Sequence, residues 1–214
     1  FKKINIKDIE IVLSGNPVNE NISNLAKNLL TDNKDESDSM NILILGGSQG
    51  SQRLNELIPL VLNKLGKVSI KHQCGIGNLQ DTQLSYDAAN IDFSKIEVCE
   101  FIDNMDDAYH WSDIVICRSG ALSVTEIMAS GSIAIFIPLP WSIDNHQFYN
   151  AKQLKDKNAG YLIEESITLS DDLIELFKFI RDDQNKGQLK LMKQNALNCF
   201  IKESENTIFE KVVN

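Results

Sequence analysis

Asn41 leads into four consecutive apolar residues, Ile42-Leu43-Ile44-Leu45, and these run straight into Gly46-Gly47-Ser48-Gln49-Gly50. A run with no polar face reads as a strand buried on both sides, the situation of a central strand in a parallel sheet. After the glycines, Leu54, Leu57, Ile58, Val61, Leu62 and Leu65 recur at helical spacing, and Gly66 stands where a C-terminal cap belongs. Strand, glycine turn and helix follow one another without a spare residue.

The alternation continues. Strands are expected at residues 68–72, 96–101, 113–117, 132–137 and 161–163, with helices between them, most clearly at 122–130 and 146–155. Six strands complete a Rossmann-like α/β domain. The ends read differently. Residues 9–13 form a short apolar run before a Gly15-Asn16-Pro17 turn, residues 19–30 fit a helix, and 31–40 read as a polar surface loop. Beyond Ser170 the pattern is helical, through Leu173, Phe177 and Ile180, then Leu189, Met192 and Ala196, with Ile208 and Val212 in a last short segment.

Charge narrows the partners. A net charge of −9 argues against nucleic acid, whose phosphates demand a concentrated basic face, and gives no attraction to an anionic membrane surface. No apolar run approaches the roughly 20 residues that span a bilayer. The four cysteines are scattered without a C-x-x-C pair, so they read as reduced core residues of a cytoplasmic chain. Phe1-Lys2-Lys3-Ile4 reads as mid-protein sequence, with an N-terminal portion expected before it.

Three turns carry chemistry. The first, Gly46–Gly50, lets backbone N–H groups approach an anion at a helix N-terminus, although strand-to-helix turns also need glycine for geometry alone. It is neither G-x-G-x-x-G nor a P-loop. In the second, Cys117-Arg118-Ser119-Gly120-Ala121-Leu122-Ser123-Val124-Thr125-Glu126, amides of Ala121 to Ser123 would face a diphosphate. Glu126, one helical turn on, can accept from two adjacent hydroxyls such as a ribose presents, or simply complement the helix dipole. The third is Pro138-Leu139-Pro140-Trp141-Ser142-Ile143-Asp144-Asn145-His146-Gln147. Its imidazole and amide groups suit neutral sugar hydroxyls, while Asp144 or Asn145 would equally serve as a helix cap.

Taken together, Gly15-Asn16-Pro17-Val18, Gly46–Gly50, Glu100-Phe101-Ile102-Asp103-Asn104-Met105, Arg118–Glu126 and Asp144–Gln147 resemble, in order and spacing, the C-terminal half of the MurG family. These are UDP-GlcNAc transferases acting on undecaprenyl-diphosphate-linked MurNAc-pentapeptide. The resemblance implies a Rossmann-like parallel sheet forming the donor-binding half of a GT-B glycosyltransferase. It implies that Ser48 contacts the donor and that Ile102 lies against the uracil through its backbone. Ala121, Leu122, Ser123, Val124 and Thr125 would serve the diphosphate and sugar, Glu126 the ribose, and His146 and Gln147 the GlcNAc hydroxyls. Gly47, Gln49, Arg118 and Asn19 are further candidates. Asn19 departs from the family, which usually has Arg after Gly-Asn-Pro-Val.

On this reading, residues 1–40 end an N-terminal half and form a linker, 41–200 bind UDP-GlcNAc, and 201–214 form a helix packing toward the N-terminal half. That half would hold the catalytic base and the lipid-linked acceptor, with the whole enzyme peripheral on the cytoplasmic face of the inner membrane. The resemblance implies no cofactor, and no metal ligands are expected: Asp103 reads as an N-cap, followed by first-turn acids Asp106 and Asp107. Two alternatives stay open, a donor-binding subunit of a split GlcNAc transferase and a GT-B-fold UDP-GlcNAc 2-epimerase. His72 reads as a hydrogen-bonded structural residue near Gly75 and Gly77, and His110 as helix-surface packing.

Overall fold

Apolar runs alternate along this chain with segments whose apolar residues recur every three or four positions, so strand and helix alternate in space. The computed structural model describes residues 12–28, 39–91 and 93–213. In chain order the elements are α1 (Glu20–Asn28), β1 (Met40–Leu45), α2 (Gln52–Leu62), β2 (Val68–Gln73), α3 (Leu79–Ala88), β3 (Ile96–Cys99), α4 (Met105–Trp111), β4 (Ile114–Cys117) and α5 (Ala121–Ser130). They continue through β5 (Ile133–Phe136), α6 (His146–Asp156), β6 (Tyr161–Leu162), α7 (Leu169–Arg181), α8 (Lys186–Cys199) and α9 (Ser204–Val213). The expected apolar run at 9–13 and polar loop at 31–40 fall mostly outside the described residues.

The strands form one parallel sheet in the order β3-β2-β1-β4-β5-β6. From β1 the chain builds outward to β3, then crosses back to lay β4 on the other side of β1. Connections on the two sides therefore cover opposite faces. A crevice opens between the carboxyl ends of β1 and β4, the place where open α/β sheets bind ligands.

Alternation along the central strands feeds two cores. Ile42 and Ile44 of β1 join Ile114 and Ile116 of β4 under Leu54, Ile58, Leu173 and Phe177. Leu43 and Leu45 join Val115 and Cys117 under Tyr109, Val124, Ile127 and Leu154. Each such aliphatic side chain contributes roughly 1.5–3 kcal/mol on burial, so a polar residue at these positions of β1 and β4 would forfeit that and need a buried partner.

Val18, Ile22 and Leu25 carry α1 onto the second core, against α4 and α5. Residues 12–28 thus lie on the sheet domain itself. A Cβ on Gly15 would stand 2.8 Å from Ser204 Oγ and 2.9 Å from Ile201 Cβ, so the entering segment touches the start of α9. Further along α9, Phe209 and Val212 are exposed.

Three local expectations are corrected. Helix α2 ends at Leu62 rather than Leu65, and residues 63–65 form a turn that Gly66 closes at φ +78°. The N-cap position of α4 is Asn104, not Asp103, and its side chain makes no capping bond. Neither Asp144 nor Asn145 caps α6 through its side chain; both take left-handed backbone conformations instead. Among the described residues no helix is long and apolar enough to cross a membrane.

Candidate functional site

The glycine turn leaves β1 with Gly46 buried and Gly47, Ser48 and Gln49 exposed at the crevice. It is held from the neighbouring turn after β2. Gly46 N–H donates to Gln73 O at 3.1 Å, and Ile76 N–H to Ser48 O at 3.3 Å. Gly50 and Gly75 cross so closely that a Cβ on Gly50 would sit 2.2 Å from Cys74 O, and one on Gly75 2.2 Å from Gly50 N. The N-cap of α2 is Ser51, whose Oγ accepts from Leu54 N–H. Ser48 is therefore not needed as a cap.

At the end of β4, Gly120 takes the N-cap position of α5 and offers no side chain to the helix amides. The first intrahelical donor is Val124 N–H, to Gly120 O. The amides of Ala121, Leu122 and Ser123 precede it, in the position and polarity that suit an anion. Leu122 is exposed; Val124 belongs to the core. Thr125 is buried, donates its hydroxyl to Ala121 O at 2.8 Å and accepts from Asn16 Nδ2 at 3.0 Å. Glu126 is half-buried and its Oε2 accepts a 2.9 Å hydrogen bond from Tyr109 Oη. Burial raises the carboxyl pKa, and the Tyr109 bond pulls it partly back.

The loop after β5 is conformationally unusual. Trp141, Asp144 and Asn145 all have positive φ (65°, 50° and 52°), and Trp141 is 96% exposed. Such left-handed non-glycine residues persist where surrounding bonds over-determine them, often at binding sites. Here Gln147 Oε1 accepts from Leu139 N–H at 2.9 Å, and Ser119 Oγ donates to Gln147 O at 2.8 Å. The loop is thus tied to the α5 turn. His146 Nδ1 lies 2.8 Å from Ile143 O. A carbonyl only accepts, so Nδ1 carries the proton and, in the neutral ring, Nε2 is left as an acceptor. Gln147 keeps its amide NH₂ as a donor.

Arg118, expected as a candidate ligand residue, is committed inside the protein. Its Nε and Nη2 donate to Ser51 Oγ, and its Nη1 to Ile137 O and Pro138 O. Asn19 is the side-chain cap of α1, accepting from Asn21 N–H at 2.9 Å. Ile102 N–H donates to Gln73 Oε1 at 3.0 Å, so a ligand contact through this backbone would use the carbonyl. Among the described residues no group of three His, Cys, Asp or Glu side chains is placed to hold a metal. All four cysteines are free thiols; Cys74 and Cys117 are buried, and burial pushes Cys117 up to about 12. Sequence reasoning missed Tyr109, Gln73 and Glu165, each of which acts on a site loop from a distant part of the chain.

A doubly wound parallel sheet, with a glycine turn and an uncapped helix N-terminus meeting at its switch point, defines a Rossmann-like domain of the kind that binds nucleotides there. Residues 41–208 match the glycosyltransferase family 28 C-terminal domain, and the chain belongs to that family. A Francisella philomiragia protein named UDP-N-acetylglucosamine–N-acetylmuramyl-(pentapeptide) pyrophosphoryl-undecaprenol N-acetylglucosamine transferase is 38% identical over 203 residues, 92% of this chain and 53% of that protein. The crystal structure of Acinetobacter baumannii MurG superposes with a TM-score of 0.75 at 32% identity, covering 88% of this chain and 52% of that one. The glycosyltransferase SnogD from Streptomyces nogalater shares the fold, with a TM-score of 0.54 at 15% identity over 83% of this chain and 44% of that one. The chain spans about half the length of the curated relatives it matches.

Proposed function

We propose that this chain supplies the UDP-GlcNAc-binding half of an inverting transferase that moves GlcNAc onto undecaprenyl-diphosphate-MurNAc-pentapeptide. The observation that carries this reading is the 38% identity, over 92% of the chain, to a relative named for that reaction. The site chemistry agrees with it. The amides of Ala121, Leu122 and Ser123, with Ser48 opposite, bind the diphosphate. Glu126 takes the ribose hydroxyls, and the Ile102 carbonyl accepts from the uracil N–H. His146 Nε2 accepts from a sugar hydroxyl and the Gln147 amide donates to one.

Charge accumulates on the departing UDP as the glycosidic bond breaks. The α5 N-terminus, aimed at the diphosphate, stabilises that charge without reorganising. The acceptor site and the base belong, on this reading, to an N-terminal half, and the apolar residues Ile208, Phe209 and Val212 of α9 pack toward it. The lipid of the acceptor puts the reaction at a membrane surface, with the enzyme peripheral on the cytoplasmic face.

The test is transfer of radiolabelled GlcNAc from UDP-GlcNAc to a lipid-linked MurNAc-pentapeptide, by this chain alone and joined to its N-terminal half. Turnover is expected only from the joined protein, because general-base assistance alone is typically worth about 10²–10⁴ in rate and acceptor positioning adds to it. Comparable turnover from both would place the base in this chain. Release of free ManNAc instead of a lipid-linked disaccharide would replace the transferase reading with an epimerase.

A further inference from the structure

Tyr109 stands near the C-terminal end of α4, is 3% exposed, and packs in the same core as Val115, Val124 and Ile127. Its hydroxyl reaches out of that core to one acceptor, Glu126 Oε2, at 2.9 Å. We propose that Tyr109 is a positioning residue of the donor site, locking the Glu126 carboxylate so that its remaining lone pairs meet the ribose diol of a nucleotide. This rests on the reading of Glu126 as the ribose ligand.

A glutamate that served only the helix dipole would gain most by extending into water. Glu126 is instead turned into the seam between α5 and α4, where burial disfavours its charge. Holding a carboxylate there is costly unless each oxygen has a partner. Tyr109 fills one of roughly four lone-pair sites, leaving enough for two vicinal hydroxyls. The phenol is suited to the task because its ring is fixed by core packing, so the oxygen it holds cannot swing. Titratable groups act on the carboxylate from α4 and β4, namely Tyr109 and Cys117. Burial keeps both protonated and neutral. The titration felt by a ribose at this point is therefore that of Glu126 itself.

The experiment is calorimetric binding of UDP and of 2′-deoxy-UDP to the intact protein, from about pH 5 to 8, for wild type, Tyr109→Phe, Glu126→Gln and the double variant. Dividing the two affinities cancels the titration of the diphosphate and isolates the 2′-hydroxyl contact. With Tyr109→Phe the preference for UDP should fall about 3- to 10-fold, as for loss of a charge-assisted hydrogen bond that orients the acceptor. The acid limb of the preference should also move to higher pH, because the carboxylate loses the bond that favours its charged form. In the Glu126→Gln background, Tyr109→Phe should change neither quantity, which distinguishes positioning from a general loosening of α4. If Tyr109→Phe leaves preference and acid limb unchanged while Glu126→Gln lowers the preference, Tyr109 has no such role and the ribose reading stands. A preference indifferent to Glu126→Gln overturns the ribose reading and this inference together.

Discussion

Arg118 Nη1 lies 2.7 Å from Glu165 Oε2, and the two side chains are only 12% and 19% exposed. Among the described residues Glu165 Oε2 has no aligned hydrogen-bond donor, so charge holds the pair. Nη1 itself donates to Ile137 O and Pro138 O, while Nε and Nη2 donate to Ser51 Oγ. One cation thus braces the starts of α2 and of the β5 loop against the segment after β6.

Removing one member of a buried ion pair typically costs about 3–5 kcal/mol, because the other charge is left stranded. Arg118→Ala should lower stability in urea by that order. Arg118→Lys keeps the charge but not the planar fork, and should lose less stability while weakening UDP binding as the loops loosen. Chemical denaturation and UDP calorimetry check both. Unchanged stability of Arg118→Ala would show the brace to be idle.

His72 gives a pH dependence. Its ring is fully buried, with Nδ1 3.0 Å from Tyr86 Oη and Nε2 3.0 Å from Asn55 Oδ1, while Asn55 Nδ2 donates to Cys74 O. Asn55 Oδ1 can only accept, so Nε2 carries the proton and Nδ1 accepts from Tyr86. Burial pulls the His72 pKa from 6.5 to about 3. The folded pKa lies below the unfolded one, so the unfolded chain takes up the proton first. This contribution is complete above pH 6.5 and is lost as pH falls toward 3. Between neutrality and pH 5 the loss should be about 2 kcal/mol. A His72→Gln protein, less stable at neutral pH, should show a correspondingly flatter acid slope. Equal slopes would mean that His72 is not the titrating group.

The close crossing of Gly50 and Gly75 makes a sharp distinction among glycines. Both Gly50 and Gly77 have positive φ, 76° and 78°, but a Cβ on Gly77 meets open space. Gly77→Ala should cost about 1–2 kcal/mol of backbone strain, a fall of a few degrees in melting temperature. Gly50→Ala must push Cys74 O away, separating the turns after β1 and β2, and should abolish the cooperative transition or lower it far more. Similar melting temperatures for the two variants would refute the contact.

The elements that could be read from the sequence were those whose apolar residues follow one period. All six strands fell within a few residues of expectation, because runs such as Ile42–Leu45 are buried on both faces and end at glycine or a polar turn. Helix α3 was harder to see: it buries only Thr82 and Tyr86, so it carries little apolar stripe. The site turns were visible because Gly46, Gly120 and Pro138 mark them locally. Their supports were not. Arg118 meets Glu165, and Glu126 meets Tyr109, only after the sheet has brought separate loops together. That is why the sequence offers Arg118 only as a further candidate and gives no sign of its partner Glu165 or of Tyr109.

Sugar discrimination should reside in the loop after β5, separately from nucleotide affinity. Three left-handed non-glycine residues at about 1–3 kcal/mol each make this loop expensive to hold, yet Gln147 Oε1 and Gln147 O are both used in bracing it. The same side chain then has its NH₂ to offer to a sugar hydroxyl. Gln147→Ala removes brace and donor together, whereas Gln147→Glu keeps an acceptor for Leu139 N–H and loses only the donor. Both should reduce the preference for UDP-GlcNAc over UDP-GalNAc about 5- to 10-fold, the value of one hydrogen bond with its partner left unsatisfied. UDP, measured alongside, reports any penalty from the charge that Glu adds, and should bind Gln147→Ala within about 2-fold of wild type because its proposed contacts lie on α5, the β1 turn and Ile102, outside this loop. Equal losses of UDP and both sugar nucleotides in Gln147→Ala, with full rescue by Gln147→Glu, would mean that Gln147 only holds the loop in shape and that the sugar is read elsewhere.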